Sequence, residues 1–165
     1  METSKLVLVL SEERYVSGWR NYFEGAVFFK AVFDKLGKEK AMQLHEEAYK
    51  VFGQGMETSL KEQFPEDVKL KPFLEGMAEG LQLSGYSSML VVGDDDTMII
   101  RNTRCPRYEA MKQAGFSDEV IKEHCLRGVK VIERYLQTVD SGFSFDVPVW
   151  DAPNGLCDER FTLRK

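Results

Sequence analysis

A single change of hydrophobic period divides the chain and limits the folds open to it. From residue 11 to residue 83, apolar side chains recur every three to four residues, as in amphipathic helices. From residue 86 to residue 163, short strand-like runs are interleaved with further helix. This pattern predicts an α+β fold, a helical layer packed on a small, largely antiparallel β-sheet. The 165 residues suit one such domain, and no repeat, low-complexity tract or Pro-rich linker divides them.

The first helix is expected over residues 11–36, with an aromatic stripe that includes Trp19, Tyr22, Phe23, Phe29 and Phe33, and it stops at Gly37. The second starts at Lys38 with Ala41, Leu44, Ala48 and Val51 or Phe52 on one face. Gly53 and Gly55 interrupt or kink it before Met56, Leu60 and Phe64 resume the pattern. Pro72 can begin a third, through Leu83, whose Gly76 and Gly80 would let a neighbouring backbone approach closely. Residues 89–92 and 97–100 flank Gly93-Asp94-Asp95-Asp96 as a β-hairpin. Pro106 opens a short helix ending at Gly115, and Ser117 caps a longer one reaching about Val139. Phe143, Phe145, Val147 and Val149 then alternate with polar or Pro positions, and Pro148 confines that strand to an edge or a bulge. Pro153-Asn154-Gly155 turns into a last strand, residues 157–163.

Charge and length narrow the function classes. Lys and Arg total 22 against 27 Asp and Glu, a net −5, which argues against a phosphate-backbone binder of nucleic acid. No apolar run approaches the roughly 18–20 residues of a membrane span, and Leu6-Val7-Leu8-Val9-Leu10 is too short for a signal segment. Three cysteines then read as free thiols in a reducing, cytoplasmic setting.

Cys105 is the most informative residue. It precedes Pro106 at a helix start, between Arg104 and Arg107, where the helix dipole and the arginines would favour thiolate. The other reading of this thiol is a small apolar filler. Cys125 shares an inward helix face with Ile121, Val129, Ile132 and Leu136, while His124 points about 100° away. His45, between Leu44 and Glu46-Glu47, is expected to face solvent. Cys157 shares a strand face with Glu159, Phe161 and Leu163. If that face is buried, Glu159 has a raised pKa and can act as a general acid or base; in the opposite register it is exposed. Asp94-Asp95-Asp96 reads as a solvated turn rather than a metal site, because three consecutive carboxylates cannot converge on one ion. There is no zinc-type C-x-x-C pair, P-loop, dinucleotide fingerprint or nucleophile elbow.

Three pieces of the chain, taken in order, share one likeness. They are Leu36-Gly37-Lys38-Glu39-Lys40-Ala41 leading to Glu47-Ala48-Tyr49-Lys50-Val51-Phe52-Gly53; Arg104-Cys105-Pro106-Arg107-Tyr108-Glu109-Ala110 with Gly115 and Cys125; and Cys157-Asp158-Glu159-Arg160-Phe161. Together they resemble the L-2-amino-thiazoline-4-carboxylic acid hydrolase-like family from about residue 36 onward. Leu126-Arg127-Gly128 departs from the acidic residue expected soon after the mid-helix cysteine. The resemblance implies hydrolytic opening of a thiazoline ring to a carbamoyl-cysteine. The reacting groups would be Cys105, Cys157 and Glu159: Cys105 is the preferred nucleophile, Cys157 lines the same pocket and assists, and Glu159 activating water is the other route. Arg104 or Arg107 would hold the substrate carboxylate, with Cys125 and His124 as further substrate contacts.

Two other readings stand beside it. A helical layer over a sheet also serves in ligand-binding sensor modules such as the 4-vinyl reductase-like group, and 11 Phe, 7 Met and 6 Tyr would line an apolar cavity. Alternatively, Cys105, Cys125 and Cys157 would converge on zinc or another thiophilic metal, although nothing in the sequence requires a cofactor. In each case the partner is a small molecule, and the long aromatic helices could pair two copies as a homodimer.

Overall fold

The structure, a computed structural model, describes residues 12–94 and 96–164. The Leu6–Leu10 run and Asp95 of the acidic turn lie outside the described residues. Three helices come first, α1 (Glu12–Leu36), α2 (Lys38–Gln63) and α3 (Leu70–Leu83). The hairpin β1 (Ser87–Asp94) and β2 (Thr97–Arg104) follows, then α4 (Pro106–Gln113) and α5 (Asp118–Val139), and finally β3 (Phe143–Asp151) and β4 (Leu156–Leu163). The four strands form one antiparallel sheet in the order β1-β2-β4-β3, so the fold is α+β as the change of period requires. No helix among the described residues is long and apolar enough to cross a membrane.

Helix α5 begins where the sequence placed it, with the Ser117 hydroxyl accepting from the Val120 N–H and Asp118 and Glu119 in the first turn. β3 lies at an edge and carries a bulge between Asp146 and Val149, so Pro148 sits where no ladder hydrogen bond is lost. The bulge also moves the inward face by one residue: Phe143 and Phe145 face the core before it, and Trp150 rather than Val149 turns inward after it.

Two apolar clusters result. One joins the inner sheet face (Leu90, Met98, Ile100, Phe145, Phe161) to α2, α3 and the second half of α5. The other packs the aromatic stripe of α1 on α4 and the first half of α5, around Ala110, Met111, Phe116 and Ile121. The outer sheet face carries forked ion pairs from Arg101 to Asp158 (2.8 and 2.7 Å) and from Arg160 to Asp146 (2.9 and 2.6 Å), beside the apolar Met89, Val91 and Ile99 of the hairpin.

Helix α2 departs from expectation. It runs unbroken through Gly53 and Gly55, and its buried positions are Ala41, Met42, Gly53 and Leu60, whereas Leu44, Val51 and Phe52 are exposed. The cause is its interlock with α5. Gly53 receives the Tyr135 ring, and Gly128 of α5 receives Tyr49, whose Cε1 would lie 2.6 Å from an added Cβ. The glycines are therefore holes for aromatic knobs rather than kinks. Gly76 and Gly80 meet nothing within 4 Å, so the expected close approach at α3 does not occur. Gly128→Ala should lose about 1–2 kcal/mol in urea unfolding, since overpacking outweighs the helix-propensity gain, whereas Gly55→Ala, with open space around it, should gain up to about 1 kcal/mol.

Candidate functional site

Where the two apolar clusters meet, side chains do not fill the interior, and a cavity of about 450 Å³ remains. Each wall follows from a local rule. β2 continues four residues past the expected Ile100, and its alternation carries Asn102 inward after Met98 and Ile100. Cys105 is the N-cap of α4, its sulfur accepting from the Tyr108 N–H at 3.3 Å. Cys157 and Glu159 share the inward face of β4, with Cys157 opposite Asn102 and Glu159 opposite Ile100. Cys125 comes from α5. The register with Glu159 inside is thus the one adopted, and the carboxylates of Asp158 and Asp146 pair on the outer face instead.

Glu159 is the tuned acid of the site. Burial pushes its pKa to about 7, opposed by the Arg107 charge and by a hydrogen bond from Asn102 Nδ2 at 3.2 Å. That amide is itself oriented, because Asn102 Oδ1 accepts from the buried Ser88 hydroxyl. Gln82 Nε2 in turn donates to the Ser88 carbonyl at 2.7 Å. This relay lies wholly inside the protein.

Arg107 reaches the cavity from α4. It donates to the Tyr49 hydroxyl, and its guanidinium carbon sits 5.3 Å from the Tyr22 ring and 5.5 Å from the Tyr49 ring. Among the described residues no carboxylate lies within ion-pair distance of it, although the charge is close enough to bias Glu159. Such a buried cation favours an anion delivered by a ligand.

The thiols behave otherwise than the helix-start argument expects. Burial, with the neighbouring Cys125, pushes the Cys105 pKa up to about 12, and the Tyr108 N–H, Arg107 and the Tyr86 hydroxyl only partly offset this. Burial likewise raises Cys125 and Cys157. Cys105 touches the cavity, but as a neutral thiol. The dipole and the arginine are present; loss of water outweighs them.

Two expected contacts lie elsewhere. The Arg104 guanidinium stacks 3.2 Å over the Tyr15 ring and pairs with Glu12 and Glu109, outside the cavity lining. His124 is buried against His45, their rings stacked at 3.4 Å, in the wall of an adjoining apolar groove of about 480 Å³ between α1 and α2 that shares Tyr22, Tyr49 and Arg107 with the cavity. His45 does not face solvent as expected: its Nε2 donates to the His124 carbonyl at 3.2 Å. Burial lowers the His124 pKa to about 2 and the His45 pKa to about 4, so both rings are neutral. Arg127, in the Leu126-Arg127-Gly128 segment, points outward to Glu39, Glu46 and Glu123. Among the described residues, no three His, Cys, Asp or Glu side chains are grouped to hold a metal ion. The three cysteines therefore do not form the convergent donor set a zinc site needs.

The sequence reading missed Asn102, Tyr49, Tyr86 and Trp150. Only Asn102 had a usable signal, since extending the alternation from Met98 and Ile100 puts an amide on the apolar face. Compared with known proteins, the chain matches no family model, no curated protein and no solved structure.

Two outcomes follow. Folding favours protonated Glu159, so its contribution is fully present below the ordinary value of 4.5 and is lost as pH rises to about 7. Urea midpoints across pH 4–8 should show Glu159→Gln gaining on the parent by about 3 kcal/mol over that window and no more above it. Iodoacetamide should label Cys105 slowly at pH 7 and faster only in strong alkali; rapid labelling near neutrality would mean an ionised sulfur.

Proposed function

We propose that the cavity hydrolyses a small cyclic amidine bearing a carboxylate, opening a thiazoline-type ring with Glu159 as general base. The observation that carries this reading is the pairing, in one cavity, of a carboxylate tuned to about 7 with a half-buried guanidinium that has no carboxylate partner among the described residues. The two poles complement the substrate: an amidinium faces Glu159, and the carboxylate takes the fork of Arg107. Tyr49 fixes that fork, and Asn102 fixes the carboxyl.

The chemistry balances without a cofactor. Glu159 removes a proton from water as the oxygen bonds to ring carbon 2 and the C=N π pair of the amidinium moves onto nitrogen, giving a neutral tetrahedral centre. The carbon–sulfur bond then breaks as the carbonyl forms: the sulfur leaves with its electron pair and takes the proton from Glu159, and the hydroxyl proton passes to solvent. One water is consumed, and the product is a carbamoyl-cysteine with a free thiol. Water activation by Glu159 suits the site better than attack by Cys105, because moving the thiol proton to Glu159 spans about five pKa units, or about 7 kcal/mol. Cys105 and Cys157 instead supply soft, neutral walls around the ring.

A second reading, a domain that binds a small molecule without turning it over, is favoured by the three half-buried, un-ionised thiols. One assay separates the two: release of free thiol from 2-aminothiazoline-4-carboxylate, with binding followed calorimetrically. Hydrolysis should rise with pH through about 7, fall at least about 100-fold in Glu159→Gln, and survive Cys105→Ser. Saturable binding with no thiol released would leave the binding reading alone.

A further inference from the structure

The charged and amide groups of the cavity, Arg107, Glu159 and Asn102, stand on its α4, β4 and β2 walls, and mostly apolar side chains line the rest. On β4 the lining is Cys157 and Glu159, and the next inward residue, Phe161, is fully buried beyond it, about 13 Å from Cys157 along the strand. On α5 the lining runs from Ile121 through Cys125 to Val129 and Ile132, the last about 10 Å beyond Cys125 along the helix. Cys125 and Glu159 lie together, since the Glu159 charge acts on the Cys125 thiol. The later segments lie together too, since Glu133 accepts from the Phe145 N–H and Phe145 stacks on Phe161 at 4.1 Å. Met56, Met77 and Leu81 of the helical layer also line the cavity.

A bare five-membered ring acid occupies only a fraction of about 450 Å³, a volume in the range of far larger ligands. Arg107 sets the charge of the occupant, and the chamber beyond sets its shape. We propose that the cavity takes an amphipathic carboxylic acid, its carboxylate on Arg107 and an apolar chain of several carbons along Val129, Ile132 and Phe145. In the reaction proposed above, the ring acid therefore carries an apolar substituent. This extension rests on the Arg107 part of that reading and not on the ring opening.

The test is a calorimetric titration of the full chain with straight-chain acids from acetate to decanoate. Affinity should rise about fourfold per added methylene until the chamber is full. A series flat in chain length overturns the proposal. Val129→Phe, which narrows the apolar chamber, should weaken decanoate at least tenfold and make the series level off at a shorter acid; an unchanged series also overturns it. Arg107→Met should abolish the preference for decanoate over decanol, and a preference that persists counts against the proposal. Should either variant fail to fold, the parent series alone decides. A rising series without ring opening supports this inference and removes the hydrolase reading; ring opening with a flat series does the reverse.

Discussion

The site depends on the bond between the Tyr49 hydroxyl and the Arg107 guanidinium. It ties the helical layer to the cavity and fixes a cation where water is scarce. Tyr49 can stand there only because Gly128 of α5 offers no Cβ, and the matching socket of Gly53 for Tyr135 holds the same two helices in register. Arg107 then acts on its surroundings: it holds the Glu159 pKa lower than burial alone would set it, and it keeps His45 and His124 neutral alongside the loss of water. One helix–helix contact therefore reaches the electrostatics of Glu159, His45 and His124.

Within the cavity, loss of water dominates the charge chemistry. A helix N-terminus contributes about 0.3–1 kcal/mol, and about 2 kcal/mol in partly buried geometries. The rise of the Cys105 thiol from 9.0 to about 12 corresponds to about 4 kcal/mol in the opposite direction. Glu159 is raised by desolvation too, with Arg107 and the oriented Asn102 amide as counterweights, but it starts from 4.5 rather than 9.0 and so stops near neutrality. Chemistry that needs a charged group at pH 7 thus falls to the carboxylate rather than to the thiols.

Legibility in the sequence tracked how local each cause was. The Ser117 cap, the Pro148 edge and bulge, and the inward face of Cys125 were all readable, because each depends on residues within a turn or strand of itself. The alternation in β4 narrowed Glu159 to two registers but did not choose between them, since that choice belongs to the strands on either side. Arg104 and Arg107 looked equivalent around Cys105-Pro106. They diverge because Arg104 ends β2 and reaches Glu12 of α1 and the exposed Glu109, whereas Arg107 lies in the first turn of α4 and turns toward Tyr49 and the cavity.

From the amino-acid order alone came the helical layer, the antiparallel hairpins and an acidic chain with three unpaired thiols, because periodicity and turn chemistry act over a few residues. Tertiary structure alone decided that two apolar clusters leave a gap where they meet, that His45 and His124 stack, and that the Cys105 sulfur stays protonated. Those outcomes depend on how much water remains around each group, and that is set by segments distant in the chain folding over it.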